Sequence, residues 1–218
     1  HDSIERYTGL GVEVVQGSAR ITSPWSVDIE TPDGKHTLTT RSIIIATGAR
    51  PFVPPIPGID AIDYLTSDNV WDLRELPRRL VVLGGGPIGC ELTQTFARLG
   101  AEVTQVEMMP RLMLREDPEV SELVAQRFKA EGVNVLTDHK AKRFLVENGE
   151  KVLIAEHEGK DVRIAFDAVL VAVGRAANLK GFGLEDMGIP TGKVVETNDF
   201  LQTLHPNIYA AGDVAGPY

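Results

Sequence analysis

The chain has 218 residues, 43% of them hydrophobic and 24% charged, with a net charge of −9 at pH 7. That length and balance describe a globular chain of one or two domains, and the acidic surface disfavours non-specific binding to nucleic acid or to an anionic membrane. No apolar run approaches the roughly eighteen residues of a membrane span, and the single cysteine, Cys90, excludes an internal disulfide and fits a reducing, cytoplasmic setting.

The first fifty residues read as small antiparallel β-structure. Residues 12–15, 19–22 and 26–30 are short β-branched segments, and Pro32-Asp33-Gly34 is a turn signal that pairs 25–30 with 36–40 as a hairpin. Residues 42–46 form a buried strand ending in Thr47-Gly48. Four prolines follow between Pro51 and Pro57, and because each fixes φ and restricts its predecessor, this is a stiff extended connection and the best linker in the chain. A short helix is expected between Asp60 and Leu76, with Ser67 or Asp68 as N-cap and Pro77 closing it.

Leu80-Val81-Val82-Leu83 is an uninterrupted apolar run, the mark of a parallel strand buried on both faces. Gly84-Gly85-Gly86-Pro87-Ile88-Gly89 follows at once. Gly84 suits the tight turn, Gly86 leaves room for a pyrophosphate, and Gly89 lets the next helix pack closely on the strand. Pro87 and Ile88 open that helix, whose free N–H groups and positive end would face the phosphates. Ile88, Leu92, Phe96 and Leu99 recur at helical spacing as its buried face, and Gly100 is placed as its C-cap. Residues 101–106 then form a second strand ending at Glu107, about twenty residues beyond the glycines. A carboxylate there can accept hydrogen bonds from both ribose hydroxyls and repels a 2′-phosphate, so NAD(H) is favoured over NADP(H). Arg111 and Arg115, a few residues on, keep NADP(H) open as the less favoured cofactor.

Asp117-Pro118 reads as an N-cap with proline at the first helical position, and Val120, Leu123, Val124 and Phe128 as that helix's apolar face. Gly132 ends it, and 133–136 is a third parallel strand. Residues 140–166 hold three short strands, the first two joined at Asn148-Gly149, a strong hairpin signal. Residues 168–173 form another apolar strand, ending at Gly174-Arg175. The fold class is therefore α/β, a Rossmann-like parallel sheet with a three-stranded β-meander on one face. Cys90 reads as a packing residue, Met108, Met109 and Met113 as loop packing, and His1, His36, His139, His157 and His205 as surface or loop residues without metal-ligand spacing. No metal site is expected.

Three strand-to-glycine junctions stand in order: Ile45-Ala46-Thr47-Gly48, then Gly84 to Gly89, then Ala210-Ala211-Gly212-Asp213. In that order and spacing the chain resembles, over its whole length, the pyridine nucleotide–disulfide oxidoreductases, two-dinucleotide flavoproteins that include dihydrolipoyl dehydrogenase and mercuric reductase. The resemblance implies an NAD(P)-binding domain over residues 53–175, inserted in a partial FAD-binding domain made of 1–52 (a β-rich segment) and 176–218 (the return segment). It implies that Asp213 bonds the ribityl chain of FAD, with Gly212 allowing close approach. Thr47-Gly48 would be the crossover beside the flavin, Ala19 a backbone contact near the FAD adenine, and Gly174 a backbone position lining the nicotinamide pocket. Glu91 resembles the family glutamate near nicotinamide and flavin, the one side chain here with an implied catalytic part.

The departures carry expectations too. This sequence holds no earlier G-x-G-x-x-G, no C-x-x-x-x-C for a redox disulfide, and no C-terminal dimerisation domain with a His–Glu pair. The resemblance thus implies the interior of a longer polypeptide, inactive by itself. Its parent would be a homodimer through that C-terminal domain, would pass a hydride from NADH to FAD, and would hold only small-molecule nucleotide cofactors. The string from Glu107 to Arg111 with Arg115 to Glu119 leans toward mercuric-reductase-like sequences, and Glu107 toward dihydrolipoyl dehydrogenase in cofactor choice. A flavoprotein NADH oxidase or reductase without the disulfide stands as an alternative, as does a non-catalytic NAD-binding module.

Overall fold

The computed structural model describes residues 3–216, so His1 and Tyr218 lie outside it. The chain forms two compact units, one built from residues up to Ala49 and from Ala176 onward, the other from Arg50 to Arg175.

The first unit opens differently from expectation. Ser3 accepts a hydrogen bond from the Arg6 N–H and caps a short helix, α1 (Ile4–Gly9), while residues 12–15 stay irregular. Among the described residues no strand pairs with their backbone, and a strand needs such a partner. The expected hairpin is present: β1 (Ser18–Ser23), β2 (Ser26–Thr31) and β3 (Gly34–Thr39) form an antiparallel meander, with Ser26 opposite Thr39 and Thr31 opposite Gly34. β4 (Ile43–Ile45) is buried on one face only, since Ile44 is 68% exposed. The chain passes from one unit to the other within β5 (Ala49–Pro51) and returns within a later strand, Arg175–Ala177.

The second unit is a three-layered α/β fold. The proline-rich stretch is part of it rather than a free connection. Pro57 accepts a hydrogen bond from the Phe144 N–H at 2.8 Å, and Val53, Ile56 and Ile59 pack into the core. In place of the expected helix between Asp60 and Leu76 are two 3-10 turns (Ile59–Ala61 and Val70–Asp72) flanking a short strand, β6 (Tyr64–Leu65). Neither Ser67 nor Asp68 caps a helix. Asn69 holds the turn instead, its Oδ1 accepting from the Thr66 N–H. Then come β7 (Arg79–Leu83), α2 (Pro87–Leu99), β8 (Glu102–Val106), α3 (Pro118–Ala130) and β9 (Asn134–Leu136). The meander β10 (Lys140–Glu147), β11 (Glu150–His157) and β12 (Lys160–Phe166) follows, then β13 (Ala168–Val171) and β14 (Arg175–Ala177).

Five strands form one parallel sheet in the order β6-β13-β7-β8-β9. Val81, Leu83 and Val171 point toward the meander, where Phe144 and Phe166 meet edge to face at 5.9 Å. Leu80, Val82 and Leu170 point the other way, against Leu92 and Phe96 of α2 and Phe128 of α3. Burial on both faces is why β7 and β13 carry no polar alternation. Asn148 and Gly149 both take positive φ (53° and 82°), the geometry a two-residue hairpin requires.

Two helix faces differ from the sequence pattern. On α2, Leu99 lies in the last turn, 64% exposed, while Gly89, Cys90 and Thr93 join Leu92 and Phe96 inside. On α3, Val120 and Leu123 face outward and Ser121 and Phe128 are buried. Ser121 is drawn inward by a hydrogen bond from Arg111, which rotates the buried stripe away from the apolar one. Gly100 caps α2 in the left-handed region as expected.

In the first unit the returning segment supplies β15 (Ile208–Ala210), parallel to β4 with Ala210 opposite Ile45. Ile21, Ile43, Ile45, Leu184, Ile208 and Val214 make up most of its core.

Candidate functional site

β7 delivers the chain to the carboxyl edge of the sheet, and the next two residues are bound there at every backbone polar atom. The Gly84 N–H donates to Val106 O and its carbonyl accepts from Gln105 Nε2, both at 2.9 Å. The Gly85 N–H donates to the Glu107 carboxylate, and its carbonyl accepts from the Met113 N–H at 2.6 Å. Gly84 takes φ +108°, and a Cβ there would collide with the Ala172 carbonyl at the end of β13. A Cβ on Gly89 would collide with the Gly84 carbonyl, so the close approach of α2 to the turn depends on Gly89, and that of the turn to the end of β13 on Gly84.

Gly86 is different. It is the N-cap of α2, extended at φ −78° and ψ −178°, and a Cβ on it would meet nothing within 4 Å. With Pro87 at the first helical position, the N–H groups of Gly86, Ile88 and Gly89 have no partner among the described residues. The space in front of Gly86 is thus faced by unpaired donors and by the positive end of a thirteen-residue helix, the makings of an anion site.

Glu107 stands at the end of β8. One carboxylate oxygen accepts from Gly85 N–H and the other from Met109 N–H at 2.7 Å, so it braces the turn as well as facing the site. A carboxylate has about four lone-pair positions, so capacity remains for hydroxyl donors. Gly174 follows β13 at the same edge of the sheet, at φ +142°, its carbonyl accepting from the Phe52 N–H. Glu91 is exposed in the first turn of α2.

Arg111 is engaged by the surrounding chain. Its Nη1 donates to Glu116 O (2.9 Å), Met113 O (3.5 Å) and Ser121 Oγ, and its Nη2 to Leu114 O (2.8 Å). Arg115 is exposed and has no partner among the described residues. Cys90 is buried, its thiol donating to Gly85 O at 3.4 Å, and burial pushes its pKa up. Gln105, wholly buried, is a site residue the pattern reading missed. Its strand, Glu102-Val103-Thr104-Gln105-Val106, mixes polar and apolar residues, so nothing in the pattern marked Gln105 as buried. His139 is buried rather than superficial, stacked on His157 with ring centroids 4.2 Å apart, and both rings meet backbone carbonyls through Nδ1. No group of three metal-ligating side chains occurs among the described residues.

In the first unit, the parallel pairing of β4 and β15 sets Thr47-Gly48 beside Gly212-Asp213 at the carboxyl ends of neighbouring strands. Ala211 N–H donates to Ile45 O at 3.0 Å. Gly48 and Gly212 both take positive φ with open space where a side chain would lie, and Asp213 is exposed in a 3-10 turn. Asn178, absent from the pattern reading, locks the crossover: its Nδ2 donates to Thr47 O, its N–H to Gly48 O, and Thr47 Oγ1 donates to its carbonyl. Ala19 lies in β1 opposite Ile29.

A parallel sheet whose central strand ends in a glycine turn, opening a helix, with an acid closing the next strand, belongs to the Rossmann-like α/β class. The family model described as pyridine nucleotide-disulphide oxidoreductase matches residues 1–218, and the chain belongs to that family. It is 40% identical over 220 residues to a mercuric reductase of Staphylococcus aureus, covering 99% of this chain and 39% of the relative. A dihydrolipoyl dehydrogenase of Bacillus subtilis is 35% identical over 206 residues, covering 94% of this chain and 44% of that one. Among solved structures, the HOCl-induced flavoprotein disulfide reductase RclA from Escherichia coli superposes with a TM-score of 0.84 at 31% identity, over 94% of this chain and 46% of that one. The chain thus spans less than half the length of these relatives. No helix among the described residues is long and apolar enough to cross a membrane.

Proposed function

We propose that the unit from Arg50 to Arg175 binds NAD(H), with the pyrophosphate before Gly86 and the adenosine ribose on Glu107. The observation that carries this reading is the contrast among the glycines: Gly84 and Gly89 are closed against backbone, while Gly86 opens onto unpaired N–H groups. Glu107 favours a free 2′-hydroxyl, because a carboxylate can accept from it and repels a phosphate. Gly174, after the neighbouring strand, would line the nicotinamide side, and Glu91 would face the reacting rings from the first turn of α2.

The other unit would contribute to an FAD site through Thr47, Gly48, Gly212 and Asp213, with Ala19 at the adenine end. The open space at Gly48 and Gly212 fits close approach of such a group. When bound, NADH supplies a hydride and FAD accepts it. The residues of this chain bind and orient, the α2 amides holding charge and Asp213 accepting hydroxyl hydrogen bonds. The whole protein would be an NADH-dependent flavoprotein that passes electrons on to a disulfide or another acceptor, as the names of its relatives suggest.

Calorimetric titration with NADH and NADPH separately tests the reading. NADH should bind more tightly, and Glu107→Gln should narrow the ratio of the two affinities. The ratio is the readout, since Glu107 also braces Gly85 and Met109 and its loss weakens both ligands together. Tighter binding of NADPH by the unaltered protein would overturn the assignment.

A further inference from the structure

The loop after Glu107 is irregular from Met108 to Asp117, yet it is tied firmly to the glycine turn. Leu112, 1% exposed, lies against Gly85, and Met113 donates its N–H to Gly85 O at 2.6 Å. Met113 does so from the left-handed region, φ +50°, a conformation an unbranched L-residue holds only where its surroundings impose it. What imposes it comes from the same loop and from the start of α3. The Met113 carbonyl accepts from the Glu116 N–H at 2.9 Å, from Ser121 Oγ at 3.4 Å and from Arg111 Nη1 at 3.5 Å, and Arg111 also holds the carbonyls of Leu114 and Glu116. A guanidinium has five N–H donors in a fixed fork, and here both Nη nitrogens are committed to the chain itself.

We propose that Arg111 is the positioning residue of the nucleotide site, acting through Met113 on Gly85, and that this commitment withholds from a 2′-phosphate the nearest arginine after Glu107. The inference rests on the NAD(H) reading of Gly84–Gly89 and Glu107. Arg111 does not touch the nucleotide. It holds the loop that holds the turn, so its removal leaves the binding groups in place chemically but lowers the fraction of molecules in which the turn is correctly set. Apparent affinity falls in proportion to that fraction.

The test compares the unaltered protein with Arg111→Ala and Arg111→Lys by titration with NADH and with NADPH. If the ordered loop drops to about a tenth of the population, NADH affinity falls about tenfold in Arg111→Ala. NADPH affinity should not fall more than that of NADH. Guanidinium ion at a sub-denaturing concentration should restore NADH binding to Arg111→Ala and leave the unaltered protein unchanged. Arg111→Lys keeps the charge but not the fork, so it should lose affinity as well. Amide hydrogen exchange at Gly85 and Met113 should accelerate in Arg111→Lys, a measurement that stands even where Arg111→Ala does not fold. Selective loss of NADPH binding in Arg111→Ala would make Arg111 a phosphate ligand and overturn the proposal, as would unchanged affinity and exchange in both variants. If the unaltered protein takes up no NADH, the NAD(H) reading itself falls and this one with it. NADH binding indifferent to Arg111 overturns this one alone.

Discussion

Alanine substitution at three glycines separates what the turn needs for folding from what it needs for binding. At Gly89 the new methyl meets the Gly84 carbonyl, which is pinned by Gln105 and cannot rotate away, so α2 must lift from the sheet. Overpacking of this kind costs about 1–3 kcal/mol. At Gly84 the methyl meets the Ala172 carbonyl from a backbone at φ +108°, and the unfavourable backbone alone adds about 1–2 kcal/mol. At Gly86 the backbone is extended and the space is open, so Gly86→Ala should leave stability within about 0.5 kcal/mol. That methyl nevertheless stands in front of the unpaired amides. Losing one charge-assisted hydrogen bond to the pyrophosphate costs about 1.5–3 kcal/mol, about ten- to a hundredfold in Kd. Urea unfolding would rank the three variants for stability, and calorimetry with NADH would rank them for binding. Gly86→Ala with unaltered unfolding and unaltered NADH affinity would refute the argument that a dinucleotide passes over this turn.

Two further outcomes follow from the same atoms. Glu131, at the C-terminus of α3, accepts from Arg98 of α2 and also from Gln94 and Arg127, and these hold its carboxyl at about 2, below the ordinary 4.5. A lowered folded-state value means that its stabilisation is fully present above the ordinary value and is lost as pH falls toward 2. Thermal unfolding of Glu131→Gln should therefore lie below the unaltered protein at pH 6, with the two curves converging by pH 2; a constant gap would refute the linkage. Cys90, buried with a raised pKa, should resist alkylation at pH 8 until denaturant is added, and rapid stoichiometric labelling of the folded protein would contradict its place in the core.

The sequence by itself determined what depends on neighbours a few residues apart. The apolar run of β7 with its glycine turn, Pro87 at the start of α2, Gly100 at its end, the Asp117-Pro118 opening of α3 and the Asn148-Gly149 hairpin are local conformational preferences, and each stands where it was expected. The acid at the end of β8 was legible for the same reason, because strand and helix lengths set its distance from the glycines. The tertiary structure decided which partners those groups found. It turned α3 so that Ser121 is buried and Leu123 is 67% exposed, brought His139 onto His157, and set Asn178 across Thr47-Gly48. It also committed Arg111 to its own loop, where charge and position alone had left it open to a phosphate. A hydrogen bond is satisfied by whichever acceptor lies in reach, and reach is set by the folded chain; residue type states the capacity, and only packing assigns it.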